Sequence, residues 1–158
     1  MKKLIIFPLL LFSVSLFGQI ESFESDYVEM IKKDIQAESK MIVKEYLELT
    51  EEQAEVFWPL YDEYDAAYDA LIDENVKLIE DYMINYYGMD NETAKGLLDR
   101  ALEHDQKILD TRKEYLDKMF EVLPAPLVGK FYQIDNRIIA LIDVVRMSTI
   151  PLMRTEEQ

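Results

Sequence analysis

The chain has 158 residues, no cysteine and a formal charge of −15, with 32 Asp and Glu against 17 Lys and Arg. A length of this order suits one domain with a sizeable core, and the lack of thiols rules out disulfides, a lipidated cysteine and thiol chemistry. The charge makes nucleic acid and anionic membranes poor partners, because both repel a surface of this sign, and leaves basic partners open.

Lys2 and Lys3 precede an apolar run from Leu4 to Phe17 that Pro8 interrupts. The run is too short to cross a bilayer as a helix, so residues 1–18 read as a secretory signal peptide. Cleavage after Gly18 leaves Gln19 first, with a cut after Ser15 as the alternative. The expected product is a single domain, 19–158, exported to the periplasm and not inserted in the membrane. The signal removes two bases and no acid, so fifteen Lys and Arg face thirty-two Asp and Glu and the mature charge is −17. Between Glu45 and Glu92 fifteen acids stand against Lys77 alone.

Glycine is rare, long alternating runs are absent and β-hairpin signals such as Asn-Gly are missing, which predicts an all-α fold of four helices. The first spans about Asp26 to Leu47, with Val28, Ile31, Ile35, Ile42 and Tyr46 near one face. Thr50 and Gln53 then form a capping box, the threonine as N-cap and the glutamine reaching back to its backbone N–H, with Leu49 as the apolar latch outside the helix. This second helix continues to about Tyr86 and ends at Gly88, a residue suited to a left-handed C-terminal position. Pro59 bends it, or else the helix proper starts only near Trp58 or Pro59. Asp90 or Asn91 caps a third helix, from about Glu92 to Val122, whose inner stripe is Ala94, Leu97, Ala101, Ile108, Tyr115, Met119 and Leu123. Pro124 and Pro126 end that segment and start a fourth helix, which stops near Pro151. There Leu127, Phe131, Ile134, Ile138, Leu141 and Val145 follow a four-three spacing. Val128, Tyr132, Ile139 and Ile142 widen this face enough to meet both its own bundle and a second subunit, so Ile134, Ile138, Leu141 and Val145 are the candidate dimer seam.

At 100° per residue, the second helix separates into two faces. Phe57, Tyr61, Tyr64, Tyr68, Leu71, Ile72, Ile79, Tyr82 and Tyr86 fall together, and Glu51, Glu55, Asp62, Asp69, Asp73 and Glu80 cluster opposite them. The acidic ridge is the outward face, either a solvated surface or a site for divalent ions. Ca²⁺, however, wants six to eight oxygens, usually gathered by a loop. The aromatic face is either ordinary core or an exposed surface. Ordinary core is the favoured reading, while the large contact area of tyrosine, with a polar tip that tolerates water, speaks for the other.

The Leu49-Thr50-x-x-Gln53 start, the long helical hairpin and the second apolar start at Leu123 resemble the Spy/CpxP-like periplasmic family, whose hallmark is a repeated Leu-Thr-x-x-Gln motif. Phe131, Tyr132 and Gln133 follow Leu123 at the offset at which Phe57 and Trp58 follow Leu49. The match spans roughly residues 49–145 and looks like a divergent branch. The resemblance implies a curved, four-helix, homodimeric cradle that holds unfolded clients without ATP, or that couples envelope stress to a membrane sensor. Client contacts would then come from Phe57, Trp58, Tyr61, Tyr64, Tyr68 and Tyr82. The second motif reads Leu123-Pro124-Ala125-Pro126-Leu127, without the Thr and Gln, so only the helix start carries over. The family surface tends to be basic and this chain is acidic, which points to basic or apolar clients.

Catalysis has little support. His104 is the sole histidine, and Glu103 and Asp105 beside it on a helix point in other directions and cannot converge on one atom, so a solvated role is expected. Ser39 and Ser148 have no base at helical spacing, no glycine-rich phosphate loop exists, and zinc would need Cys or several His. A non-enzyme without cofactor or metal is expected. Three classes of role are open to such a chain: a client-binding chaperone or stress adaptor, a signalling accessory or metal or stress sensor acting on a membrane receptor or sigma-factor pathway, and a structural helical dimer.

Overall fold

The computed structural model describes residues 37–154. The expected signal peptide, and the start of the first helix with Val28, Ile31 and Ile35, lie outside the described residues. The chain divides into two units, Met1–Lys40 and Met41–Gln158. Of the first only 37–40 are described, as helix, and the bundle and its core belong to the second.

Among the described residues there are four helices and no strand: α1 (37–47), α2 (Glu51–Asn85), α3 (Asn91–Val122) and α4 (Ala125–Thr149). The fold is all-α. Each start has a local cause. Thr50 accepts from the Gln53 backbone N–H at 3.2 Å while the Gln53 side chain accepts from the Thr50 N–H at 3.0 Å, closing the capping box and fixing the start of α2 at Glu51 rather than near Pro59. Pro59 sits exposed inside the continuous helix. Asp90 caps α3 by accepting from the Thr93 N–H at 2.7 Å. Pro124 stands at the N-cap of α4, and its carbonyl accepts from the N–H groups of Leu127 and Val128.

The left-handed position falls elsewhere than expected. Gly88 does not adopt it: α2 ends at a right-handed Tyr86, and no described glycine has positive φ. Instead Glu48, between α1 and α2, takes φ 52°, a conformation that costs an L-residue about 1–2 kcal/mol. The turn from α1 to α2 is only residues 48–50, and Glu48 takes the left-handed place in it, with its carboxylate on Lys130 at 2.8 Å.

α2 and α3 form an antiparallel hairpin through residues 86–90. α4 runs parallel to α2, as the rising pairs Tyr64–Asp135, Asn75–Arg146 and Tyr82–Pro151 require. The main core lies at the end where the α1–α2 and α3–α4 turns meet: Val43, Leu47, Phe57, Tyr61, Tyr64, Met119, Leu123, Val128, Phe131 and Ile134, with Leu49 packed against it. Both apolar latches therefore close the same core. Further along the hairpin only Leu71, Leu97 and His104 reach comparable burial among the described residues.

Candidate functional site

The aromatic side chains of α2 form the interior at the closed end. Phe57 is 0%, Tyr61 3% and Tyr64 6% exposed. Phe131 of α4 inserts edge-on among them, with ring centroids 5.4 Å from Phe57, 6.1 Å from Tyr61 and 6.0 Å from Tyr64. Such contacts add to burial because the positive ring edge meets a negative face. These three residues, expected as client contacts, are thus not accessible in this fold; an apolar stripe opposite an acidic one is what any amphipathic core helix shows. Trp58 and Tyr68 are half-buried at the rim of the same cluster. Tyr82 lies beyond it, half-buried, donating to the Pro151 carbonyl at 2.8 Å.

One polar knot crosses this core. The Tyr64 hydroxyl donates to Asp135 Oδ1 at 2.9 Å, and Arg112 donates to Asp135 Oδ2 through Nε at 3.1 Å and a terminal nitrogen at 2.8 Å. That terminal nitrogen also reaches Asn136 Oδ1 at 2.6 Å, and the guanidinium lies 5.3 Å from the Tyr132 ring centre. The knot joins α2, α3 and α4. Burial raises the Asp135 carboxyl above its usual range, although Arg112 and Tyr64 pull the other way. Burial works most strongly against the Arg112 charge, yet Asp135 and Tyr64 together outweigh it and the guanidinium ends up raised. Tyr64 is pushed well above the normal phenol range, by burial first and Asp135 second, and Tyr68 is pushed up to about 12 by burial and then Asp135 and Asp143. The chemistry is that of a satisfied structural clamp, with both oxygens of the carboxylate engaged.

The second motif also divides. Leu123 and Phe131 are buried, whereas Tyr132 and Gln133 face outward. The α4 seam splits in the same way. Ile134 is buried and Ile138 packs on the core, but Leu141 is 68% exposed, so the four-three stripe is not one continuous seam inside this chain. The Val145 side chain lies outside the described residues.

The expected acidic ridge is exposed at Glu51, Glu55, Asp62, Asp73 and Glu80, while Asp69 is half-buried and departs from the outward face. Among the described residues no three His, Cys, Asp or Glu side chains come together as a metal would require. His104 departs furthest from its sequence reading. It is buried between α2 and α3, with Nε2 2.8 Å from the Leu71 carbonyl. A carbonyl only accepts, so Nε2 carries a proton toward it, and the buried Nδ1 has no hydrogen-bond partner among the described residues. Glu74, Lys77, Leu78, Arg100, Glu103 and Lys107 line an open pocket of about 240 Å³ beside it. The rim is tied across the hairpin by Lys107–Glu74 at 3.0 Å and Arg100–Asp81 at 2.7 Å.

The sequence pattern does not announce the Arg112–Asp135 clamp or the burial of His104. Arg112 falls on the inner side of the α3 stripe with Ala101 and Met119, which was the available signal.

No family model matches the chain, and no curated protein or solved structure matches it. Among the described residues no helix is long and apolar enough to cross a membrane.

Proposed function

We propose that the protein is an exported, non-enzymatic helical binding protein, an ATP-independent chaperone or envelope-stress adaptor that holds basic or apolar polypeptide segments. The observation that carries this reading is the set of large apolar side chains left open on an acidic bundle. Leu98, Leu102, Leu109 and Phe120 on α3, and Leu141, Val144 and Met147 on α4, are each at least half exposed, although the chain has a core that buries their equivalents. Large open apolar side chains gathered on helix faces of an otherwise charged protein mark a place for another chain. The high negative charge supplies the preference for basic clients and speeds their encounter. The resemblance to the Spy/CpxP-like family supports the same role, carried by the two latched helix starts that close one core.

The test is light scattering during dilution of denatured, reduced lysozyme, a basic client, into the protein. Suppression at several-fold excess, stronger at low salt than at high, is expected; its absence overturns the reading. A second role, a structural homodimer, is favoured by the α4 triplet alone, since those residues continue the stripe whose first half is core. Light scattering coupled to gel filtration, with Leu141→Ser plus Val144→Ser as the variant, decides it.

A further inference from the structure

Four of the open apolar residues of α3 share one face, while Val122 stands open on another. At 100° per residue Leu98, Leu102, Leu109 and Phe120 lie within about 40° of one another, along about 33 Å of helix. The buried residues Leu97, His104 and Met119 of the same helix centre about 120° away, so this stripe is separate from the edge that packs on α2. It is a second apolar face, open at these four positions, although Leu116 in the same phase packs against the core.

We infer that this face is the client surface, and that its occupant is a basic amphipathic segment, one with apolar side chains on one side and Lys or Arg beside them. The inference rests on the binding role proposed above and places it on named residues. Charge decides the occupant. Along one shoulder of the stripe stand Asp99, Glu103, Asp110, Asp117 and Glu121, all exposed. Against them are Lys95 and Lys113, each already bound to an acid of its own helix, Asp99 and Asp117. Asp105 flanks the other side. A peptide that laid Leu or Phe along the stripe would therefore set its polar positions against a net negative wall, which attracts cations and repels acids. The stripe is long enough for about six turns of a partner helix. Surface ion pairs add little by themselves, so the apolar contacts supply affinity and the acids supply sign and encounter rate.

The experiment is fluorescence anisotropy of a labelled amphipathic peptide built of Leu and Lys, beside its Leu and Glu counterpart, with the full chain. The Lys peptide binds, weakens with salt, and the Glu peptide does not bind. Leu102→Ser plus Leu109→Ser removes two apolar anchors, so affinity falls at least about tenfold. Leu141→Ser plus Val144→Ser on α4 leaves it within about twofold. Circular dichroism checks that both variants fold, which is expected because all four positions are exposed. Binding of the Glu peptide as tight as the Lys peptide overturns the charge argument, and binding unaffected by the α3 pair overturns the surface. Aggregation suppression that survives the α3 pair overturns this assignment while leaving the functional reading; absence of both binding and suppression overturns the two together.

Discussion

Replacing Arg112 by Met tests the clamp that ties α4 to the hairpin. The methionine keeps an apolar stem of similar length, so the change removes charge and hydrogen bonds more than volume. Both members of the pair are largely inaccessible, Arg112 at 15% and Asp135 at 14% side-chain exposure. Taking away the guanidinium leaves the carboxylate with the Tyr64 hydroxyl alone, and breaking a buried pair in this way costs about 3–5 kcal/mol. That is a third or more of the roughly 5–15 kcal/mol that holds a domain together. The chain has an escape: Asp135 can take a proton. Protonating a group of ordinary carboxylate affinity at pH 7 costs about 1.4 kcal/mol per unit over roughly three units, which sets a ceiling near 4 kcal/mol. Burial already raises the Asp135 carboxyl, and loss of Arg112 raises it further. A raised folded-state value means stability that is present below the unfolded value and lost as pH rises, so the penalty is greatest at neutral pH and shrinks toward pH 5. Urea denaturation at the two pH values measures it. Adding Asp135→Asn removes the orphan charge while leaving an acceptor for Tyr64, and recovers at least half the loss. A penalty below about 1 kcal/mol at pH 7, or one that does not change with pH, refutes the assignment of the clamp.

Phe57→Ala empties the centre of the aromatic cluster and costs about 3–5 kcal/mol in the same denaturation assay, whereas Thr50→Ala removes only the cap and costs about 1 kcal/mol; comparable losses would mean that the capping box does more than start a helix. Glu48→Gly relieves the left-handed φ at the α1–α2 turn and loses only an exposed ion pair with Lys130, so the thermal midpoint rises; a fall would place the stabilising weight on that pair.

The helix starts were legible because each is a local device: Thr50 with Gln53, Asp90 ahead of Thr93, and Pro124 with Pro126 need only neighbours in sequence to act. The all-α class rested on the same short-range signals. Which apolar face was inside was harder to read. Tyr61 and Tyr64 share their helical phase with the core because they are core, while Leu98, Leu102, Leu109 and Phe120 make a stripe on α3 that stays exposed among the described residues. Periodicity gives the spacing of a face and not its cover. The Arg112–Asp135 and His104–Leu71 contacts join positions 23 and 33 residues apart, beyond any local pattern. Gly88 had the right identity for a left-handed turn, but the turn that needed one was the tighter junction at Glu48. The α4 spacing continued past Ile138 with no change in residue type to mark where packing stops.

The aromatic face of α2 is interior, and the proposed client surface is therefore the outer stripe of α3. Stopped-flow alkaline titration reads this directly, since ionised tyrosine absorbs near 295 nm. Tyr61 and Tyr64 are held above the ordinary phenol range by burial, and for both the neighbouring Asp135 adds to it. On a jump to about pH 11, above the usual tyrosine value near 10, the amplitude within the mixing time excludes buried phenols such as Tyr61 and Tyr64. Tyr61→Phe plus Tyr64→Phe should leave that amplitude unchanged and reduce only the slow phase that accompanies unfolding; loss of two tyrosines' worth of the fast amplitude would contradict it.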